Sequence, residues 1–266
     1  MAIPRIIHQT WKSPELPPAF RAFQETWQRR HPGWEYRFHD DGACRRTVEN
    51  HFPGLLALYD SCPYPVQRAD IFRYLIVACE GGLYADMDME CLRNLEPLLA
   101  GQRAVFGVED RLSPRRTRQL GHRYPERIAN FIFAAEANHP IFLKIIDRLK
   151  GLPGKWNLAE EVLETTGPGM LTDVVQDNRE DLGLTVLPRI CWAPPRGGYP
   201  DCFPFNLHMY ARHHFAGTWK KSRSAAPGRG LRPWFQAWGP GELFYRLPPS
   251  PVWTSDLIFW RKEPRR

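Results

Sequence analysis

Residues 68–90 read RADIFRYLIVACEGGLYADMDME, and the way this stretch divides sets the fold class. Helical period covers about 66–80. Between 71 and 79 nearly every residue is apolar, with Ile71, Leu75 and Ala78 forming one row and Phe72, Ile76 and Cys79 another. A helix that is apolar nearly all round is a buried helix. Gly81-Gly82 then ends it, because glycine accepts the left-handed dihedrals that follow a helix C-terminus. Residues 83–90 alternate as a strand, with Leu83, Ala85, Met87 and Met89 on one face and Tyr84, Asp86, Asp88 and Glu90 on the other.

Two pairs of charges interrupt this apolar background. Asp70 and Arg73 stand three apart on one helix face, and charge in a buried helix is costly unless it is paired or used. They read either as a local ion pair, with Asp70 also favoured by the helix dipole, or as groups that face a polar cleft and bind a hydroxyl-rich ligand. Asp86 and Asp88 repel each other unless a cation lies between them. Hard carboxylate oxygens suit Mg²⁺ or Mn²⁺, and a solvated acidic strand face is the other reading. Glu90 is expected beyond the site, in solvent.

Outward from this core, 5–9 reads as a strand, 17–30 as a helix and 34–38 as a strand, an opening that argues for α/β architecture. Further strands are expected at 103–108 and 128–134, and a helix at 140–149. A polar, Arg-rich connector lies between 111 and 127. The tail, 220–266, is rich in Pro, Gly, Trp and Arg and is expected to be mostly irregular. No linker divides the chain, so residues 1–266 are read as one domain with a mobile insertion.

The 266 residues are 43% hydrophobic with ten Trp, fifteen Phe and nine Tyr, which excludes intrinsic disorder. The most apolar run, 75–79, is far short of the roughly 20 residues that cross a bilayer, and the opening Met-Ala-Ile-Pro-Arg shows no signal peptide. A net charge of +7, carried mainly by Arg, suits phosphate-bearing partners of several kinds. The six Cys match no disulfide framework or zinc spacing, so a cytosolic location is expected, with the inner membrane surface as a peripheral option.

The run from Arg68 to Leu75 and then from Gly81 to Asp88 resembles the sugar-binding region of the D-x-D glycosyltransferases. That family includes yeast initiating α-1,6-mannosyltransferases, inositol-phosphoceramide mannosyltransferases and bacterial capsule transferases of polysaccharide biosynthesis, and the clostridial glucosylating toxins share a related core. The opening Ile3-Pro4-Arg5-Ile6-Ile7-His8-Gln9-Thr10-Trp11-Lys12 is similar to the family's first strand. Asn130-Phe131-Ile132-Phe133-Ala134, Asn138-His139-Pro140, Thr166-Gly167-Pro168 and His213-His214-Phe215-Ala216-Gly217-Thr218-Trp219 follow in family order.

The resemblance implies a GT-A fold, a nucleotide-sugar donor (UDP- or GDP-hexose), Mn²⁺ or Mg²⁺, and retention of anomeric configuration. It implies that Asp88 binds the metal, that Asp86 reaches the metal or its water and the donor ribose, and that Asp70 and Arg73 hold donor-sugar hydroxyls. One of His213 and His214 completes the metal sphere; alternation puts only one on that side, and His214 is preferred because it shares a face with Thr218. Thr218 and Trp219 would contact the diphosphate, and His8, Gln9 and Trp11 would sit by the nucleotide. Tyr84 and Asn130 complete the donor-side set, Asn130 being equally suited to satisfying backbone groups.

With no carboxylate evident as a covalent nucleophile, front-face displacement by the acceptor hydroxyl is expected. The acceptor would be a glycan, a lipid-linked sugar or a protein hydroxyl. Lys220, Lys221, Arg223, Arg229 and Arg232 would form a lid over the diphosphate or a peripheral membrane contact. Two alternatives stay open: a polyanion-binding module using the 111–127 arginines without catalysis, and a toxin-like effector that glycosylates a host protein. A phosphatase-type D-x-D site is excluded by its late position and by Met89-Glu90 following it, and no nucleic-acid motif is present.

Overall fold

A computed structural model describes residues 2–152, 161–192 and 208–216. Thr218, Trp219 and the basic, aromatic tail lie outside the described residues. The strands are β1 (Ile6–Thr10), β2 (Glu35–His39), β3 (Gly82–Ala85), β4 (Met89–Cys91), β5 (Ala104–Arg111), β6 (Glu126–Ile128), β7 (Ile132–Ala135), β8 (Thr185–Leu187) and β9 (Ala211–His213). The helices are α1 (Pro18–Arg30), α2 (Asp41–His51), α3 (Leu56–Ser61), α4 (Pro65–Glu80), α5 (Glu96–Leu99), α6 (Pro114–Gln119), α7 (Pro140–Lys150), α8 (Glu161–Thr165), α9 (Pro168–Asn178) and α10 (Arg189–Trp192).

Among the described residues the main sheet has seven strands in the order β2-β1-β3-β7-β5-β6, with β8 also on β5. β2, β1 and β3 run parallel, and β7 enters antiparallel between β3 and β5. This mixed sheet flanked by helices is the expected α/β architecture. In open α/β sheets, ligands bind outside the carboxyl ends of the parallel strands. Here β1 ends at Thr10 and β3 at Ala85, while β7 begins at Ile132 opposite Ala85, so Trp11, Asp86 and Asn130 emerge at one edge. The small β4–β9 ribbon adds His213 to that edge.

Strand alternation fills both sides of the sheet. Leu83, Val105, Ile132 and Ala134 pack with Trp27 and Trp192 on one side. Tyr84, Phe106 and Phe133 pack with α4, α7 and α9 on the other. The rings of Tyr74, Tyr84 and Phe106 each lie 5.7–5.8 Å from that of Phe133. Burial of such side chains contributes about 1.5–3 kcal/mol each. Among the described residues no helix is long and apolar enough to cross a membrane.

The expected buried helix is α4, with every residue from Asp70 to Ala78 buried. Its end requires glycine twice. Gly81 and Gly82 have φ of 69° and 97°, and a Cβ on either would lie 2.6 Å from the Ala137 amide nitrogen or 2.7 Å from the Ile6 carbonyl oxygen. This close approach seats β3 beside β1. It also lets the fully buried His8 bond the turn, its Nε2 donating to the Gly81 carbonyl oxygen at 3.0 Å. Nδ1 is then the acceptor of the neutral ring and receives His39 Nε2–H at 3.2 Å.

Three expectations are revised. The strand read at 83–90 breaks at Asp86, and the one read at 128–134 breaks at Ala129–Phe131, because these segments pair with each other: the Asp86 amide donates to the Phe131 carbonyl at 2.8 Å. The connector at 111–127 is structured, with Ser113 capping α6.

His8 gives a stability prediction. Burial, with His39 adjacent, pushes its pKa from 6.5 down to about 3, so the folded state holds it neutral. Its contribution is complete above pH 6.5 and is lost as pH falls toward the folded value. Wild type is expected to lose about 3 kcal/mol through this group between pH 6.5 and pH 4. In His8→Gln, which keeps a donor for Gly81, urea titrations should show that acid limb flattened by a similar amount; parallel pH profiles would refute the assignment.

Candidate active site

The Asp-x-Asp pair sits in a turn rather than along a strand. Met89 donates its amide to the Asp86 carbonyl at 3.0 Å, and Asp is favoured at the first position of such a turn. The Gln9 side chain donates to the same carbonyl at 3.1 Å. Tyr36 OH in turn donates to Gln9 Oε1 at 2.8 Å. The turn brings both carboxylates to the sheet edge, which alternation alone was expected to do.

Behind them lies a buried polar cluster on α4. Arg73 Nη2 is 3.1 Å from Asp70 Oδ1 and 3.3 Å from Asp86 Oδ1, and Nη1 donates to the Asn130 carbonyl at 2.9 Å. The guanidinium lies over the Tyr84 ring at 5.1 Å, and Tyr84 OH donates to Asp86 Oδ1 at 2.8 Å. Asp70 also accepts from Asn130 Nδ2 at 2.9 Å and from Thr166 Oγ1 at 3.1 Å. Burial pushes the Asp70 carboxyl up to about 7 against the pull of Arg73, with Asp86 adding repulsion. The Asp86 carboxyl is likewise raised by burial, with Arg73 pulling it down and Asp88 pushing it up.

The outer half of the site is Asp88 with His213. Asp88 Oδ1 is 3.1 Å from His213 Nε2, and Oδ2 accepts the Ala216 amide at 2.8 Å. Burial pushes the Asp88 carboxyl up, but the bond to His213, its charge and the Ala216 amide outweigh it and hold the group below its ordinary value. The His213 ring is wedged between Phe131 and Phe215 at 4.1 and 3.9 Å. Its Nδ1 is buried without a hydrogen-bond partner among the described residues.

One ligand atom each from Asp86, Asp88 and His213 lies within 4.8 Å of the others. Two hard carboxylate oxygens and one imidazole nitrogen, in a site where the acids repel, fit a divalent ion such as Mn²⁺ or Mg²⁺.

The structure groups His213, and not the expected His214, with Asp86 and Asp88. His214 Nε2 points to Glu90 Oε2 at 3.0 Å, and its ring stacks on Phe23 at 4.2 Å. Glu90 is therefore paired with His214, not simply solvated. The choice rested on carrying alternation from 214 to 218. The strand ends at His213, and Phe215 takes a positive φ of 49°, so that phase cannot be extended.

Of the other expected donor-side residues, Asp70, Arg73, Asp86, Asp88, Tyr84 and Asn130 come together. His8 and Gln9 are fully buried behind them. Trp11 lies at the edge against Phe20, with its indole N–H buried and unpartnered among the described residues. Tyr84 has no exposed surface and orients Asp86 and Arg73. Thr166 had no role in the sequence reading; the Thr-Gly-Pro run that opens a helix was the available signal, and its buried hydroxyl holds Asp70.

Residues 17–105 match the model of the glycosyltransferase sugar-binding region containing the DXD motif. Over those residues the chain is similar to the DXD glycosyltransferases. Inositol phosphoceramide mannosyltransferase 3 of Schizosaccharomyces pombe is 34% identical over 64% of this chain and 44% of its own length. The initiation-specific alpha-1,6-mannosyltransferase of the same yeast is 27% identical over 82% of this chain and 64% of its own. The chain thus spans less than two thirds of either relative. Among solved structures, PaToxG glycosyltransferase aligns over 68% of this chain and 79% of its own, at 19% identity and a TM-score of 0.49. The family's DXD acids are Asp86 and Asp88 here, with Asp70 and Arg73 inside the same matched region.

Proposed function

We propose that this chain is a metal-dependent, retaining glycosyltransferase that moves a hexose from a nucleotide-sugar donor to an acceptor hydroxyl. Carrying this reading is the juxtaposition of a three-ligand cation site (Asp86, Asp88, His213) with a buried carboxylate–guanidinium pair (Asp70, Arg73) on its inner side. A bound divalent ion would supply charge neutralisation at the departing diphosphate, worth several kcal/mol. Asp70 and Arg73, fixed by Asn130 and Thr166, would orient donor hydroxyls with little reorganisation. Trp11, whose indole N–H is unpartnered among the described residues, is suited to the nucleotide edge. Thr218 and Trp219 are retained as diphosphate contacts.

Asp70 has both oxygens engaged by donors, which makes it a poor covalent nucleophile and favours front-face displacement. Mannose is the first donor sugar to test, since the relatives bear mannosyltransferase names. The acceptor reading covers a glycan or a lipid-linked sugar, and the cytosolic placement rests on scattered thiols, of which Cys44, Cys62, Cys79, Cys91 and Cys191 are free. Against the polyanion alternative, Arg111, Arg123 and Arg127 are already paired with Glu126, Asp177 and Glu164.

The test is a panel of GDP-mannose, UDP-glucose, UDP-galactose and UDP-N-acetylglucosamine with Mn²⁺. At least one should release its nucleoside diphosphate, and EDTA should abolish the release. No release from any donor, or release insensitive to EDTA, would overturn the reading. A glycosyl–enzyme adduct in intact mass spectra would replace front-face displacement with a double displacement.

A further inference from the structure

A second polar pocket of about 150 Å³ opens beside the cluster just described, lined by residues that include His122, Arg123, Tyr124, Arg127, Glu164 and Gly169. Two chain segments tie it to Asp70. Arg127 lines the pocket, and three residues on Asn130 bonds Asp70; Glu164 lines it, and two residues on Thr166 bonds Asp70. Three residues span at most about 11 Å.

The charges in the pocket are matched. Arg123 donates twice to Asp177, at 2.8 Å each, and Arg127 Nη1 donates to Glu164 Oε1 at 3.1 Å. A guanidinium already held by a carboxylate offers little net attraction for an anion but leaves N–H donors and carboxylate lone pairs side by side. That alternation serves vicinal hydroxyls, which donate and accept at once. The Tyr124 ring, 5.2 Å under the Arg123 guanidinium, adds an aromatic wall. Gly169 keeps the floor open: a Cβ there would collide with the Glu164 carboxylate and lie 2.8 Å from the Leu163 carbonyl oxygen.

We propose that this pocket is an acceptor subsite that binds a neutral sugar ring through Arg127, Glu164 and Tyr124. As an acceptor site it rests on the transferase reading; as a sugar site it does not. Saturation-transfer NMR on the full chain, with methyl α-mannoside and methyl β-galactoside as probes, tests it. At least one probe should bind, about tenfold more weakly in Glu164→Gln and in Tyr124→Ala, and inorganic phosphate should not displace it.

Neither glycoside binding, unchanged binding in both variants, or displacement by phosphate would overturn the proposal. Donor hydrolysis by the unaltered chain is measured separately. Hydrolysis without glycoside binding removes this inference alone. Glycoside binding without hydrolysis of any donor removes the transferase reading and the acceptor role with it.

Discussion

Asp88→Asn is expected to lower donor turnover by about 10³-fold, the loss of roughly 4 kcal/mol of transition-state stabilisation. The fold should survive, because the amide keeps an oxygen for the Ala216 N–H and presents an NH₂ to His213 Nε2. The change removes the charge and has His213 accept at Nε2, with its proton on Nδ1. The melting temperature without metal should therefore move by no more than about 2 °C, while Mn²⁺ binding, followed by titration of the free ion, is lost.

The neighbouring histidines separate the two assignments of the third ligand. His213→Ala should cost about 10²-fold in turnover together with Mn²⁺ affinity. His214→Ala removes a ring stacked on Phe23 and paired with Glu90, so it should cost on the order of 1 kcal/mol of stability with Mn²⁺ affinity kept. A reversal of that order would restore His214 to the metal. A large fall in melting temperature for Asp88→Asn would make Asp88 a structural tie between the turn and residues 213–216.

Much of this arrangement was legible in residue order. The α4 helix declared itself by being apolar on all sides, and Asp70 and Arg73 stood out because charge there needs a partner. Gly81-Gly82 marked the turn that seats β3. What failed to show depended on partners distant in sequence. Residues 83–90 keep their alternation of types through Asp88, yet the backbone turns at Asp86 because Phe131 supplies the carbonyl its amide needs.

His8 and Gln9 carry polar atoms that a linear reading aims at a ligand. The fold spends them on the Gly81 and Asp86 carbonyls, which no local pattern reveals. The choice between His213 and His214 was a question of phase. Pairing of His213 with Met89 across the β4–β9 ribbon fixed a phase that residues 214–218 could not.

The largest stability effect is expected at Arg73. The residue is 4% exposed, and its guanidinium faces two carboxylates, Asp70 at 3.1 Å and Asp86 at 3.3 Å. Arg73→Met fills similar volume but leaves the buried Asp70 and the half-buried Asp86 without their cation. Removing one partner of a buried ion pair costs about 3–5 kcal/mol, or a fall of about 10 °C in melting temperature for a chain of this size.

The pH dependence gives the loss a signature that simple packing damage lacks. Burial already raises both carboxyls in the folded state, and Arg73 opposes that rise. Without it both rise further, so the folded variant binds more protons than the unfolded chain between the ordinary carboxylate range and the new folded values. Stability must then fall as pH increases through that window. The deficit against wild type should be largest at pH 8 and visibly smaller at pH 5, measured by urea denaturation at both. Arg73→Lys, which restores the charge without the fork, should recover part of the stability. A deficit of equal size at both pH values, or one under about 1 kcal/mol, would mean that Asp70 and Asp86 are held by their neutral donors and that the guanidinium is there for the ligand alone.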